Sequence, residues 1–269
     1  MNKLSMNISI SGAKTTGASH IKKGLSCQDA WTSEIPREDS AAIAVADGLG
    51  SARYSEKGAE IAVRTATESI KKHFMTVYDE NITSADITSN VSIIEEAFLS
   101  SVSAIEKYSI ENKVPKKELA CTLIVILVYK KSVSIGQVGD GGVVGQSYSG
   151  KIKLLSEPAE SEYINEVTPV TSDKWRESLR ISQNIPDIKN IAAFTDGCQR
   201  AVLIKENDFY KPYVPFFRPF FEYAEKSHDK KELSDDIGEF LLSGKINEVS
   251  DDDKTLVAIS LGNNQKKRN

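Results

Sequence analysis

Residues 43–62 read IAVADGLGSARYSEKGAEIA. An apolar run over 43–46 enters Asp47-Gly48, and from Ser55 the apolar positions Ala59, Ala62, Val63, Ala66, Ile70 and Phe74 recur at three- and four-residue steps. That is a short strand, an Asp-Gly break and then an amphipathic helix. The first half of the pattern returns at 191–195, which runs into Asp196-Gly197, and a third acid, Asp252, stands just before the last apolar run. Strands that end this way bring acids from remote parts of the chain to one end of a sheet. There hard divalent cations find oxygen ligands and activate water, so the pattern reads as a two-metal hydrolase site.

Working outward, residues 6–11 alternate with Ile8 and Ile10 on one face, and 41–46 is a second strand. A second helix begins near Ser92, with Ile94, Ala97, Phe98, Val102 and Ile105 on its buried stripe. Residues 119–129 are apolar on both faces and rich in β-branched side chains, as in a strand covered on both sides. Lys130-Lys131 turns the chain into 133–138, and 142–148 and 151–155 continue a meander. Asp140-Gly141 between two of these runs carries a hairpin signal as well as a ligand signal. Strand clusters separated by paired helices do not give the alternation of a parallel sheet. The expected class is α+β, an antiparallel β-sandwich with helices packed outside. The polar stretch 79–89 links the two helices. Residues 156–188 form a long connection, functional or a surface excursion. The aromatic-rich segment 209–223 packs a loop and helix on the sandwich or offers a docking surface.

The 269 residues are 40% hydrophobic and 27% charged, enough for a sizeable core, and no Pro/Gly/Ser-rich linker divides them. A net charge of -4 argues against nucleic acid as the main partner. The N-terminal MNKLSMNISISG carries no continuous apolar stretch of signal-peptide length, and nowhere do 18 apolar residues run together. Cys27, Cys121 and Cys198 cannot all pair and form no C-x-x-C, which points to a reducing, cytoplasmic setting. Cys27 and Cys198 each lie two residues from a candidate site aspartate, so they read either as ordinary buried thiols or as oxidation-sensitive neighbours of the site.

SCQDAW at 26–31, VADGLGSARYSEKGAEIA at 45–62, IGQVGDGGVVGQ at 135–146, AAFTDGCQRAV at 192–202 and SDDDKTLVAISL at 250–261 occur in the order seen in metal-dependent serine/threonine protein phosphatases of type 2C, which the chain resembles over most of its length. The resemblance implies a four-layer α-β-β-α sandwich over residues 1–262 with a short basic tail at 263–269. It implies Mn²⁺ or Mg²⁺, two ions with a third beside them, and phosphorylated proteins as partners, with a serine/threonine kinase as the opposing activity; the acidic charge and the lack of a long apolar run set aside nucleic acid and membrane. Carried over residue by residue, Asp47 resembles the bridging ligand and Gly48 the residue whose carbonyl binds metal. Asp196 and Asp252 resemble the ligands completing the pair, Asp252 ranking above its neighbours Asp251 and Asp253. Asp29 resembles an N-terminal acid acting through water, with Gln28 where many relatives have another acid, and Asp140 resembles the holder of the third ion. The flap of the family falls in 156–188.

Two departures stand out. Relatives often carry an N-terminal arginine that grips phosphate, whereas this chain offers His20, Lys22 and Lys23. Some animal relatives place a histidine two residues after the bridging aspartate, where Leu49 stands here, which leaves water or His20 to protonate the leaving group. These departures keep a second function in view, a catalytically weak phosphatase-like module that binds phosphoproteins or regulates a partner. Other phosphatase chemistries fit less well. Asp251, Asp253 and Thr255 spell D-x-D-x-T, but no apolar strand precedes them. No arginine lies six residues after any cysteine, and there is no G-x-x-x-x-G-K-[ST].

Overall fold

The computed structural model describes residues 6–79, 89–159, 167–207 and 209–263. The linker core 80–88, part of the long connection (160–166) and the basic tail from 264 lie outside the described residues. The chain opens with β1 (Met6–Thr15), α1 (Ala18–Lys23), β2 (Ala30–Arg37) and β3 (Ser40–Ala46), followed by the long helices α2 (Ser55–Asp79) and α3 (Asn90–Asn112). The middle holds β4 (Leu123–Tyr129), β5 (Ser132–Val138), β6 (Gly142–Ser147), β7 (Ile152–Ser156), α4 (Trp175–Ser178), β8 (Arg180–Ile185) and β9 (Ile188–Phe194). Then come α5 (Gln199–Val202), the hairpin β10 (Leu203–Glu206) and β11 (Phe209–Pro212), α6 (Val214–Lys226), α7 (Lys230–Leu241), α8 (Gly244–Asn247) and β12 (Lys254–Asn263).

Two five-stranded antiparallel sheets, ordered β2-β3-β4-β5-β8 and β1-β12-β9-β6-β7, form the sandwich. The period-2 rule of a strand explains how three cores are stacked. On β3, Ala42, Ala44 and Ala46 face α2 and α3, while Ala41, Ile43 and Val45 face the opposite sheet. On β4, Leu123, Val125 and Leu127 join the helix side, and Ile124, Ile126 and Val128 the middle. Small residues meet there: Ala59, Ala62 and Ala66 of α2 are fully buried against the alanines of β3, so the helix can lie close. Beyond the second sheet, Phe217 and Phe221 of α6 with Leu233 and Ile237 of α7 cover Phe194, Leu256 and Ala258. The layers are therefore α-β-β-α, as the sequence predicts.

Three local expectations change. The strand expected over 119–129 begins only at Leu123, because Lys116–Leu119 is a 3-10 turn and the backbone of 120–122 serves the neighbouring loops. Leu49 N donates to Ala120 O at 3.0 Å, Thr122 N to Asp47 O at 2.8 Å and Val170 N to Cys121 O at 2.9 Å. The meander also breaks: β4 and β5 form a hairpin at Lys130-Lys131, both with positive φ, but β5 and β6 lie in different sheets. Asp140-Gly141 is thus a crossing between sheets and not a hairpin turn, reached through Gly139 at φ +111°, a backbone region that favours glycine. The aromatic segment divides. Phe217 and Phe221 pack on the sheet, Phe216, Phe220 and Phe240 stack outside them at 5.2 to 5.4 Å, and Phe209 is exposed. In the long connection, Val170 and Trp175 are buried, with Trp175 stacked on Phe98 of α3.

Candidate metal centre

Every acid singled out in the sequence lies at the same end of the sandwich, because each follows or precedes a strand there. Asp47 closes β3, Asp140 follows β5, Asp196 follows β9, Asp29 precedes β2 and Asp252 precedes β12. Carboxylate oxygens of Asp47, Asp140 and Asp196 all lie within 4.8 Å of one another. Asp29 is fully buried beside Asp47. Asp252 is exposed and lines, with Asp196, the cleft that opens from the cluster. Asp47 is fixed by a reciprocal pair: its N–H donates to Thr122 Oγ1 at 2.9 Å while Thr122 N donates to its carbonyl. The bonds around Gly48 come from Leu49 and Thr122, and among the described residues no hydrogen bond uses the Gly48 carbonyl.

Asp29 is aimed by two hydroxyls. Thr195 Oγ1 donates to its Oδ2 at 2.7 Å and Thr255 Oγ1 at 2.8 Å. Its other oxygen, Oδ1, and Oδ1 of Asp140 are buried with no hydrogen-bond partner among the described residues. Such oxygens are costly unless something accepts their lone pairs. The carboxyls also repel each other. Burial, then the charges of Asp29 and Asp196, hold Asp47 well above the usual carboxylate range. Burial, then Asp140 and Asp252, raises Asp196 to about 7. Burial raises Asp29 to about 6 against the two threonine hydrogen bonds, and burial raises Asp140. An all-oxygen set with unspent lone pairs and excess negative charge fits a hard divalent cation.

Asp253, ranked below Asp252 in the sequence, has a role that reading missed. It is 2% exposed and accepts from Gly17 N at 2.7 Å, Gln28 N at 2.5 Å and His20 Nδ1 at 2.8 Å. One carboxylate therefore clasps the N-terminal loop that carries Asp29 to the loop that carries Asp252. Gly17 is required by proximity, since a Cβ there would stand 2.2 Å from the Asp252 carbonyl carbon. His20, proposed from sequence as phosphate ligand or proton donor, has its ring in this buried pair. Lys22 and Lys23 are exposed on α1. Thr122, Thr195 and Thr255 were also missed as orienting groups, although Thr195 and Thr255 flank the acidic motifs and are short β-branched donors suited to strand ends. The thiols are quiet: burial, with Asp29 and Asp253 nearby, pushes Cys27 up to about 12, and burial raises Cys121 and Cys198 further. They match the inert buried reading.

Comparison with known proteins bears on the family and the fold. The profile described as protein phosphatase 2C matches residues 16–241. Serine/threonine-protein phosphatase 3 of Escherichia coli (strain K12) is 30% identical over 250 residues, covering 91% of this chain and 94% of that protein. Among solved structures, a bacterial serine phosphatase superposes with a TM-score of 0.64 at 16% identity, covering 96% of this chain and 100% of the other. RsbX in complex with magnesium superposes with a TM-score of 0.52 at 15% identity, covering 97% and 98%. At such identities the likeness of structures speaks to the fold.

Proposed function

The chain belongs to the protein phosphatase 2C family, and on that premise we propose that it hydrolyses phosphoserine and phosphothreonine in proteins at the carboxylate cluster. The observation that carries the reading is the convergence of Asp47, Asp140 and Asp196 within 4.8 Å, with Asp29 packed behind them. Mn²⁺ or Mg²⁺ bound there would supply an activated water and neutralise the phosphoryl oxygens that repel it. In this reading Asp47, the Gly48 carbonyl, Asp196 and Asp252 would hold the ions. Asp29, oriented by Thr195 and Thr255 through one oxygen, keeps its other oxygen for a metal-bound water, and Asp140 would hold a third ion. We assign His20 a holding role in the pair with Asp253 instead of proton donation, since its Nδ1 is committed there.

The free, buried cysteines support a cytoplasmic setting, where a serine/threonine kinase supplies the opposing reaction. Among the described residues, no helix is long and apolar enough to cross a membrane. Turnover of para-nitrophenyl phosphate and of phosphoserine and phosphothreonine peptides, with Mn²⁺, with Mg²⁺ and with chelator, tests the proposal. Metal-dependent release of phosphate is the expected result. A folded, metal-loaded protein inert on every substrate would replace it with the regulatory, phosphoprotein-binding reading.

A further inference from the structure

We propose that Arg200 is the residue that grips the phosphoryl group, an assignment that rests on the phosphatase reading and replaces the N-terminal cations His20, Lys22 and Lys23. A polar cleft of about 420 Å³ opens beside the cluster, lined by Asp196, Arg200, Asn247, Glu248, Asp251 and Asp252 among others. Arg200 is the cation of that lining; the charged groups around it are carboxylates. A phosphate dianion in such a cleft faces repulsion from Glu248 and Asp251 as well as from the ligand acids, so one positive group among them has a large effect on occupancy.

The position of Arg200 is built, not incidental. It is the second residue of α5, which follows the short turn Asp196–Cys198. Gln199, immediately before it, donates from Nε2 to the carbonyl of Asp140. That bond fastens the start of α5 to the loop bearing one of the clustered acids. The guanidinium forms no ion pair or hydrogen bond among the described residues, although Glu248 and Asp251 share its cleft. An exposed arginine with its five donors unspent, four residues from Asp196, suits the bidentate geometry of a phosphate oxygen pair. The N-terminal alternatives are placed differently. His20 is in the Asp253 pair, Lys22 and Lys23 stand exposed on α1, and none of the three lines the cleft.

The test is calorimetric titration of inorganic phosphate into the Mn²⁺-loaded full chain, alongside Mn²⁺ affinity and melting temperature. Arg200→Ala should weaken phosphate binding about 10- to 100-fold, the range for hydrogen bonds to charged groups. Arg200→Lys should recover part of the loss, and Mn²⁺ affinity and melting temperature should stay at wild-type values. KM for a phosphoserine peptide should rise in parallel. Phosphate affinity within about twofold of wild type in Arg200→Ala overturns the assignment, as does a loss that comes with weakened Mn²⁺ binding. Phosphate binding is read without turnover. An inert wild type would therefore sink the phosphatase reading while the titration still decided Arg200.

Discussion

Removing the Asp253 carboxylate should unfold the protein more readily than removing any other acid near the site. The side chain accepts three hydrogen bonds, from Gly17 N, His20 Nδ1 and Gln28 N, at 2.7, 2.8 and 2.5 Å. Asp253→Ala leaves those donors facing a buried gap. Hydrogen bonds to a charged group contribute about 1.5–3 kcal/mol each, but the three share one desolvated carboxylate and do not add. Each buried donor left unpaired costs about 1–3 kcal/mol, so a loss of about 3–5 kcal/mol is expected in urea unfolding followed by circular dichroism with chelator present. Asp253→Asn keeps one acceptor oxygen but turns an amide toward the donors, so about 2–3 kcal/mol is expected. His20→Ala combined with Asp253→Ala in a double-mutant cycle should show coupling of about 1–3 kcal/mol. Asp252→Ala, at an exposed position, should fall within about 0.5 kcal/mol of wild type. A loss below about 1 kcal/mol for Asp253→Ala, or no coupling to His20, would refute the reasoning. The ranking of Asp252 above Asp253 drawn from sequence is thus reversed for stability.

Asp47→Asn and Asp196→Asn should abolish turnover and lower Mn²⁺ affinity while the fold survives; two tightly bound ions with near wild-type rates in both would remove these residues from the ligand set. Asp29 and Asp196 have native pKa values raised to about 6 and about 7 from 3.8, so the native state binds protons more tightly than the unfolded chain. Their contribution to stability is full below about pH 4 and is lost as pH rises through 6 and 7. Chelated protein should therefore lose stability across that window, and a flat or rising Tm in Asp29 and Asp196 difference measurements would contradict it. Asp140→Asn tests the crossing between sheets: no hairpin demands the residue, so turnover against Mn²⁺ should shift to higher metal concentration with stability kept, and superimposable curves would deny Asp140 any ion.

Much of this was legible because strands announce themselves locally. The alternation in β3 and β4, the helical steps from Ala59 to Phe74, and Asp-Gly at strand ends place Asp47 and Asp196 without tertiary knowledge. The turn at Asp140 was not legible, since Asp-Gly favours the same backbone whether the next strand pairs with the last or joins another sheet. The clasp was hidden for a related reason. Asp251, Asp252 and Asp253 are identical in composition, and what separates them is a set of donors 225 to 236 residues away in sequence. Arg200 belongs to the same class, an ordinary surface residue until α8 and the Asp251 loop close a cleft over it.

Strand β1 pairs with β12 over ten rungs, from Met6 with Asn263 to Thr15 with Lys254. One of the two hydroxyls that aim Asp29 belongs to Thr255, 226 residues downstream. During synthesis, β1 leaves the ribosome long before β12 exists, and a long loop must close before the two can pair. A nascent chain that has not reached β12 lacks both the Thr255 hydroxyl on Asp29 and the Asp253 clasp, so the acid cluster stays unassembled until that strand pairs.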